Sequence, residues 1–439
     1  MKLAVFVAGK QVARLDAMGD FEHVLTYLPD TSAEDFVSLT MPVRSKSWVW
    51  PELHPFFQMN LPEGILLKVL QDRFGPHIGA SPLALLAVVG RNTIGRVQVV
   101  PEGTEPEHAA TPLDLGALLQ GDHSEEAFLT LVAEYAESGV SGVFPKFLAP
   151  EGSSQRLRLT VPTARYIVKS SSATLPFVAQ VEYFGMEVSR RSGVPTAETE
   201  VSPDGQILLV RRFDVGEQGR AVFGFEDLCS LLGLRPANKY ETTWERIIKQ
   251  VRALVPAPEH PQAFQQLATM LLLTYAVRNA DCHAKNVALR YTSRNDVQMA
   301  PVYDMLTTVA YDEFRLNPPG LSFLGKKTWS PGKSLPRFIQ AHLSIPLRMQ
   351  ATMVEQICDA MVDVSTDVTR AIQGIPGFAN TGQRLLCAWN DGMTGLREPR
   401  TFSLPPKVPG LPPCEPPRRE PKPPTSIGRS PLLGPRGSI

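Results

Sequence analysis

Asp281 and Asn286 stand at the two ends of an Asp-x-x-x-x-Asn spacing in Asn279-Ala-Asp-Cys-His-Ala-Lys-Asn286, and a second acid, Asp304, follows in Tyr303-Asp304-Met305. These residue types at this spacing suit phosphoryl transfer. An aspartate can orient an acceptor hydroxyl and take its proton, an asparagine five positions on can hold Mg²⁺, and a further carboxylate can hold Mg²⁺ against the β- and γ-phosphates of ATP. Base and metal must lie on opposite sides of the transferring group, and a loop of about five residues can present both. The spacing alone is weak, because polar loops produce it by chance. A bland reading of Asp281 is an acid in the loop after a helix.

The surrounding elements sharpen it. Gln265 to Arg278 reads as an apolar helix that ends directly at the polar loop, Val287 to Tyr291 as a strand, Thr292 to Asp296 as a turn, and Val297 to Val302 as a second strand leading to Asp304. Helix, loop, hairpin, acid is the order found in the C-lobe of a kinase. The run Asn-Ala-Asp-x-His-Ala-Lys-Asn, with Pro301-Val-Tyr-Asp304 after it, resembles the HipA-type serine/threonine kinases. These are the toxin halves of bacterial toxin–antitoxin pairs linked to persistence. The resemblance extends from the N-terminus to about residue 395 and also takes in Phe225 to Leu234 and Lys239-Tyr-Glu241. It implies an α+β, bilobal protein-kinase-like fold with an N-terminal α+β subdomain and a largely helical C-lobe. It also implies ATP and Mg²⁺ as cofactors.

Further residues follow from this resemblance. Lys169 closes the apolar strand Ala164 to Lys169 and matches the strand lysine that grips the α/β-phosphates; its bland reading is a surface lysine on an edge strand. Glu182, in the helix Val178 to Ser192, matches the glutamate that pairs with that lysine, with Glu187 as the rival. Ser138-Gly-Val-Ser-Gly-Val-Phe-Pro-Lys146 falls on the family's phosphate-covering loop, so Ser141, Gly142, Val143, Phe144, Pro145 and Lys146 become nucleotide contacts. Phe144 stands where the family has glutamine, and by residue pattern alone the stretch is a hairpin turn. Ser141, and next to it Ser138, are the candidate sites of autophosphorylation. Arg211, Arg212 and Phe213 match the hinge that meets adenine through backbone groups, and His283 and Lys285 complete the nucleotide set.

The N-terminal residues read as a small α+β unit. Leu3 to Ala8 and Gln11 to Leu15 form a hairpin around Gly9-Lys10, Phe21 to Tyr27 and Phe36 to Thr40 alternate like strands, and Ile65 to Phe74 and Pro82 to Val89 read as helices before the strand Val97 to Val100. Gly90-Arg-Asn-Thr-Ile-Gly-Arg96 has P-loop glycine spacing, but Arg96 and Val97 replace the Lys and Ser/Thr that would hold phosphate and Mg²⁺, so a tight turn is expected. Ser124 to Ala136 is a further helix. The resemblance implies a division into residues 1–105 as the antitoxin-docking subdomain, 106–215 as the N-lobe and 216–397 as the C-lobe, and the composition of 398–439 reads as a proline-rich tail expected to be disordered.

The totals agree with these classes. A chain of 439 residues with zero formal charge has room for two lobes and carries no broad nucleic-acid footprint. Five scattered cysteines without C-x-x-C suggest reduced thiols in a cytoplasmic protein, and no run of residues approaches a membrane span. No G-x-S-x-G or zinc-ligand spacing supports a hydrolase or a metal centre. The expected partners are a DNA-binding HipB-like antitoxin, through which DNA is met only indirectly, and a protein substrate of the translation apparatus, often an aminoacyl-tRNA synthetase in this family. The alternatives are a catalytically weak kinase fold acting as a corepressor, and a small-molecule kinase.

Overall fold

The computed structural model describes residues 1–18, 22–61, 81–106, 115–121, 123, 159–162, 165–216 and 220–397. The expected helices over 65–74 and 124–136, the loop over 138–147 and the tail over 398–439 lie outside the described residues.

Strands β1 (Lys2–Val7), β2 (Lys10–Met18), β3 (Glu22–Tyr27), β4 (Trp48–Trp50) and β5 (Val97–Pro101) form an antiparallel sheet ordered β4-β3-β2-β1-β5. The β1–β2 turn falls on Ala8 and Gly9, both at positive φ (50° and 83°), and Lys10 already pairs with Val7. Two central residues at positive φ match the right-handed twist of the flanking strands, so the turn sits one residue earlier than Gly9-Lys10. Helices α1 (Pro55–Gln58) and α2 (Pro82–Val89) complete the unit, and Leu83 and Leu86 of α2 are buried in its core.

A second antiparallel sheet, β6-β7-β9-β8, comprises β6 (Leu159–Pro162), β7 (Tyr166–Ser170), β8 (Thr199–Val201) and β9 (Ile207–Arg211). Helix α3 (Leu115–Gln120) precedes it and α4 (Val178–Arg191) packs on it. A third sheet holds β10 (Gly224–Asp227), β11 (Ala288–Ser293) and β12 (Asp296–Met299). The rest is helical: α5 (Leu228–Leu231), α6 (Trp244–Leu254), α7 (His260–Ala276), α8 (Ser334–Leu343), α9 (Leu347–Gly374) and α10 (Ala379–Leu396). Helix α7 is apolar on nearly every face and is buried from Phe264 to Ala276 apart from Gln265, as an all-round hydrophobic helix must be. The fold is therefore α+β and bilobal, with a separate N-terminal sheet.

Phe36 to Thr40 is not a strand. It is a loop with one isolated bridge, Ser38 to Met41, lying between two cores. Phe36 and Leu39 pack into the main core and Val37 into the N-terminal one. The alternation seen in the sequence is real burial on two sides, without a strand partner. The loop is fastened to the third sheet through Glu226, which accepts from Ser38 Oγ, Leu39 N and Tyr291 Oη, each at 2.7 Å. Arg96, the residue that spoils the P-loop pattern, lies over the Phe36 ring at 4.6 Å and donates to the Thr292 carbonyl at 2.7 Å. Gly95, at φ 93°, forms the expected turn and donates its N–H to Asp214.

Cys229, Cys282 and Cys358 are free and buried. Cys387 is disulfide-bonded, which departs from the expectation of reduced thiols. Among the described residues no helix is long and apolar enough to cross a membrane.

Candidate active site

Three elements converge here, and each has a sequence reason to end where it does. Helix α7 stops as Arg278 turns to positive φ (57°), with its guanidinium over the Trp329 ring and bonded to the Asp391 carbonyl. The chain then enters the polar loop. Ala280 N–H donates to Thr308 Oγ1 at 2.7 Å and Asp281 N–H to Asn279 Oδ1 at 3.0 Å, which pins the loop backbone. Gly320 closes against it from outside: a Cβ there would meet the carbonyl oxygens of Cys282 at 2.4 Å and Ala280 at 2.9 Å. Asp281 and Cys282 face opposite ways. Asp281 is partly exposed, whereas Cys282 is buried and its thiol is pushed up to about 12 by burial, which leaves it inert as a nucleophile.

Asp304 follows the segment Ala300 to Val302, which is tied to the N-lobe side by Ala197 N–H to Val302 O and Val302 N–H to Pro195 O, both 2.8 Å. Tyr303 donates its hydroxyl to the Lys285 carbonyl, stapling this segment to the 279–286 loop. Asn286 donates its amide to Asp304 Oδ2, and its Oδ1 accepts the His283 N–H at 2.9 Å.

Lys169 lies in β7, in register with Thr160 and Leu208. Its buried Nζ sits 2.5 Å from Glu182 Oε1 and 3.0 Å from Asp304 Oδ1. Glu182 is fully buried on α4. Its rival, Glu187, is engaged instead by Arg190 at 2.6 Å and Arg191 at 3.4 Å. One cation thus bridges carboxylates from two lobes. Gly185 makes this approach possible: a Cβ on it would lie 2.1 Å from the Met305 carbonyl oxygen.

Of the remaining residues, His283 is buried beside Asp281, 3.9 Å from Nε2 to Oδ1. Burial first, then the charge of Lys239, holds its imidazole well below the usual value, with Asp304 opposing, so the ring is neutral. Both ring nitrogens lack a hydrogen-bond partner among the described residues. Lys285 is half-buried on the same loop. Arg211 pairs with Glu198 at 2.7 Å on the surface, and Arg212 forks onto Asp214 at 3.0 and 2.5 Å, so neither guanidinium joins Lys169. Burial pushes the Asp214 carboxyl up, but Arg212 and the backbone donors, Gly95 N–H among them, together outweigh it and the net shift is downward. Phe213 packs on Phe225 and Tyr303. Ser138, Ser141, Gly142, Val143, Phe144, Pro145 and Lys146 lie outside the described residues.

A nucleotide with Mg²⁺ fits these donors. Asp304 offers a hard carboxylate ligand beside the Asn286 amide, and Mg²⁺ is commonly held by one or two carboxylates plus phosphates. Among the described residues no group of three His, Cys, Asp or Glu could hold a metal by itself. Lys169, which already sits between two carboxylates, is the cation that phosphate oxygens would meet.

One residue was missed from the sequence. Tyr240 donates its hydroxyl to Asp281 Oδ1 across a separation of 41 residues. Only its place in a stretch already matched by family pattern, Lys239-Tyr-Glu241, singled it out.

Residues 138–367 match the family model of the HipA-like C-terminal domain, and residues 3–100 match that of the HipA N-terminal domain. Two proteins of Sinorhizobium fredii, each named a candidate kinase, are 28% identical over 299 and 309 residues. The first match covers 64% of this chain and 68% of the relative, the second 66% and 72%. The HipA chain of a HipA–HipB–operator DNA complex of the toxin–antitoxin system of Shewanella oneidensis shares the fold. It gives a TM-score of 0.65 at 16% identity over 90% of this chain and 96% of that one.

Proposed function

Since the chain belongs to the HipA-like family, we propose that it is an ATP- and Mg²⁺-dependent serine/threonine protein kinase acting as the toxin of a toxin–antitoxin pair. The observation that carries this reading is the position of Lys169 between Glu182 and Asp304, with Asn286 on the second oxygen of the same aspartate. An active kinase needs that lysine–glutamate pair and a metal-binding aspartate in place together. Mg²⁺-ATP supplies the phosphoryl group and neutralises part of its charge. Lys169 holds phosphate oxygens, Asp304 and Asn286 hold the metal, and the 141–146 loop with Lys146 covers the nucleotide. His283 and Lys285 line the nucleotide from the catalytic loop, and the 211–213 backbone meets adenine. Asp281 orients the acceptor hydroxyl and receives its proton as the new O–P bond forms and ADP leaves.

The N-terminal subdomain, residues 1–105, is the surface for a HipB-like antitoxin, which carries the contact with DNA. Its protein target is a component of translation such as an aminoacyl-tRNA synthetase, and Ser141, with Ser138 as the second candidate, is modified by the kinase itself. A corepressor that had lost catalysis would have no need to keep Lys169, Glu182, Asn286 and Asp304 bonded to one another, and they are. Transfer of labelled γ-phosphate from Mg²⁺-ATP into proteins of a lysate, with wild type and Asp304→Ala compared, tests the reading. Label that appears equally with both proteins would refute it.

A further inference from the structure

Tyr240 follows the turn Pro236–Asn238 and precedes helix α6. Its hydroxyl donates to Asp281 Oδ1. The same short segment holds the catalytic loop at two further points. The Lys239 carbonyl accepts the Ala284 N–H at 3.1 Å, and the Tyr240 ring stands edge-on to the His283 ring, with centroids 5.0 Å apart at 75°. The segment is itself anchored from below by Lys239, one of the largest fully buried side chains in the protein. Asp281 therefore does not hang from its loop alone. A second element, distant in sequence, grips the carboxylate and the two residues that follow the thiol.

We propose that Tyr240 is a positioning residue for phosphoryl transfer. Its O–H fixes the plane of the Asp281 carboxylate toward the acceptor hydroxyl. This rests on the reading of Asp281 as the acceptor-orienting base. The tyrosine itself transfers no proton. Burial first, and then the neighbouring Asp281 charge, drive its hydroxyl far above the usual range, so it remains a donor throughout the pH range of the reaction. A donor favours the charged form of the carboxylate that it meets, so removal or strengthening of this donor is read in the acid limb of the kcat–pH profile.

Tyr240→Phe keeps the ring against His283 and removes only the donor. Loss of one hydrogen bond to a charged group predicts a kcat decrease of roughly 10- to 100-fold. KM for ATP should be unchanged, and the acid limb of the kcat–pH profile should move to higher pH. Replacing Tyr240 with 3-fluorotyrosine, a stronger donor, should move the same limb to lower pH; this second variant decides the matter if the phenylalanine protein does not fold. Asp281→Asn is measured alongside. If Asp281→Asn abolishes transfer while Tyr240→Phe and the fluorotyrosine protein keep the wild-type kcat and pH profile, the role of Tyr240 is refuted and the kinase reading stands. Faster turnover by Tyr240→Phe would also refute it, because the hydroxyl would then be blocking the carboxylate. If Asp281→Asn retains full transfer, the kinase reading fails first.

Discussion

Gly185→Ala tests how the two lobes bring Lys169, Glu182 and Asp304 together. Gly185 lies one turn beyond Glu182 on α4, against the main chain that follows Asp304. An added Cβ would lie 2.1 Å from the Met305 oxygen, 2.8 Å from its carbonyl carbon and 3.1 Å from the Leu306 α-carbon. These are backbone atoms and cannot rotate away, so the carbonyl or the helix must retreat by roughly 1 Å to reach normal contact. Asp304 immediately precedes Met305 and is bonded to both Lys169 and Asn286, so the displacement reaches the carboxylate. Overpacking of this kind costs about 1–3 kcal/mol, and the better helix propensity of alanine offsets about 1 kcal/mol of it. A misplacement of about 1 Å at a reacting group costs on the order of 100-fold in rate. The expected result is a protein with wild-type far-UV circular dichroism, slightly lower melting temperature, strongly reduced γ-phosphate transfer and reduced thermal stabilisation by Mg²⁺-ATP. Wild-type transfer together with an unchanged or raised melting temperature would refute the packing argument.

Three other outcomes are expected. Glu182→Gln should cost on the order of 3 kcal/mol in chemical denaturation and most of the phosphotransfer, since it leaves a buried lysine with one carboxylate, whereas Glu187→Gln should change stability by less than about 1 kcal/mol; equal effects would remove the distinction between them. Burial raises the Glu226 carboxyl from 4.5 to about 7, against the pull of Leu39, Ser38 and Tyr291. Its contribution is therefore fully present below pH 4.5 and is lost as pH rises through about 7. Charging it in the core costs on the order of 3 kcal/mol, so Glu226→Gln should flatten the fall of melting temperature across that window, and a slope identical to wild type would contradict this. If the 141–146 loop covers the nucleotide as proposed, Ser141→Asp should weaken ATP binding measured by calorimetry, because it adds a negative charge beside the phosphates, while Ser141→Ala should remain active; tight ATP binding by Ser141→Asp would end the self-inactivation scheme.

The cluster around Lys169 could be read locally because its residues lie in short runs. Asp281 and Asn286 share one loop, Lys169 is the last but one residue of a strand, and Glu182 lies in a helix where the family pattern separates it from Glu187. Each of these depends on a neighbourhood of a few residues. What escaped depends on distance along the chain. The Tyr240–Asp281 bond joins two segments of the C-lobe, and the close approach at Gly185 is visible only once α4 lies against Met305. Phe36 to Thr40 misled because period-2 burial signals a strand only if one face meets a sheet, and here the two faces meet two different cores. The edge strand Trp48–Trp50 went unread for the opposite reason, since three residues are too few to show a period. Arg96 looked like a defect in a phosphate loop and is instead a junction residue, stacked on Phe36 and bonded to the Thr292 carbonyl.

The central claim is that Asp281 is the residue through which the bound nucleotide reaches a protein hydroxyl. Purified wild-type and Asp281→Asn proteins, matched for fold by circular dichroism and for Mg²⁺-ATP binding by calorimetry, should be incubated with γ-labelled ATP and a lysate. The labelled serines and threonines should then be identified by mass spectrometry. The account predicts labelled protein with wild type and loss of label by at least roughly 100-fold with Asp281→Asn at unchanged nucleotide affinity. Equal labelling by the two proteins would contradict it.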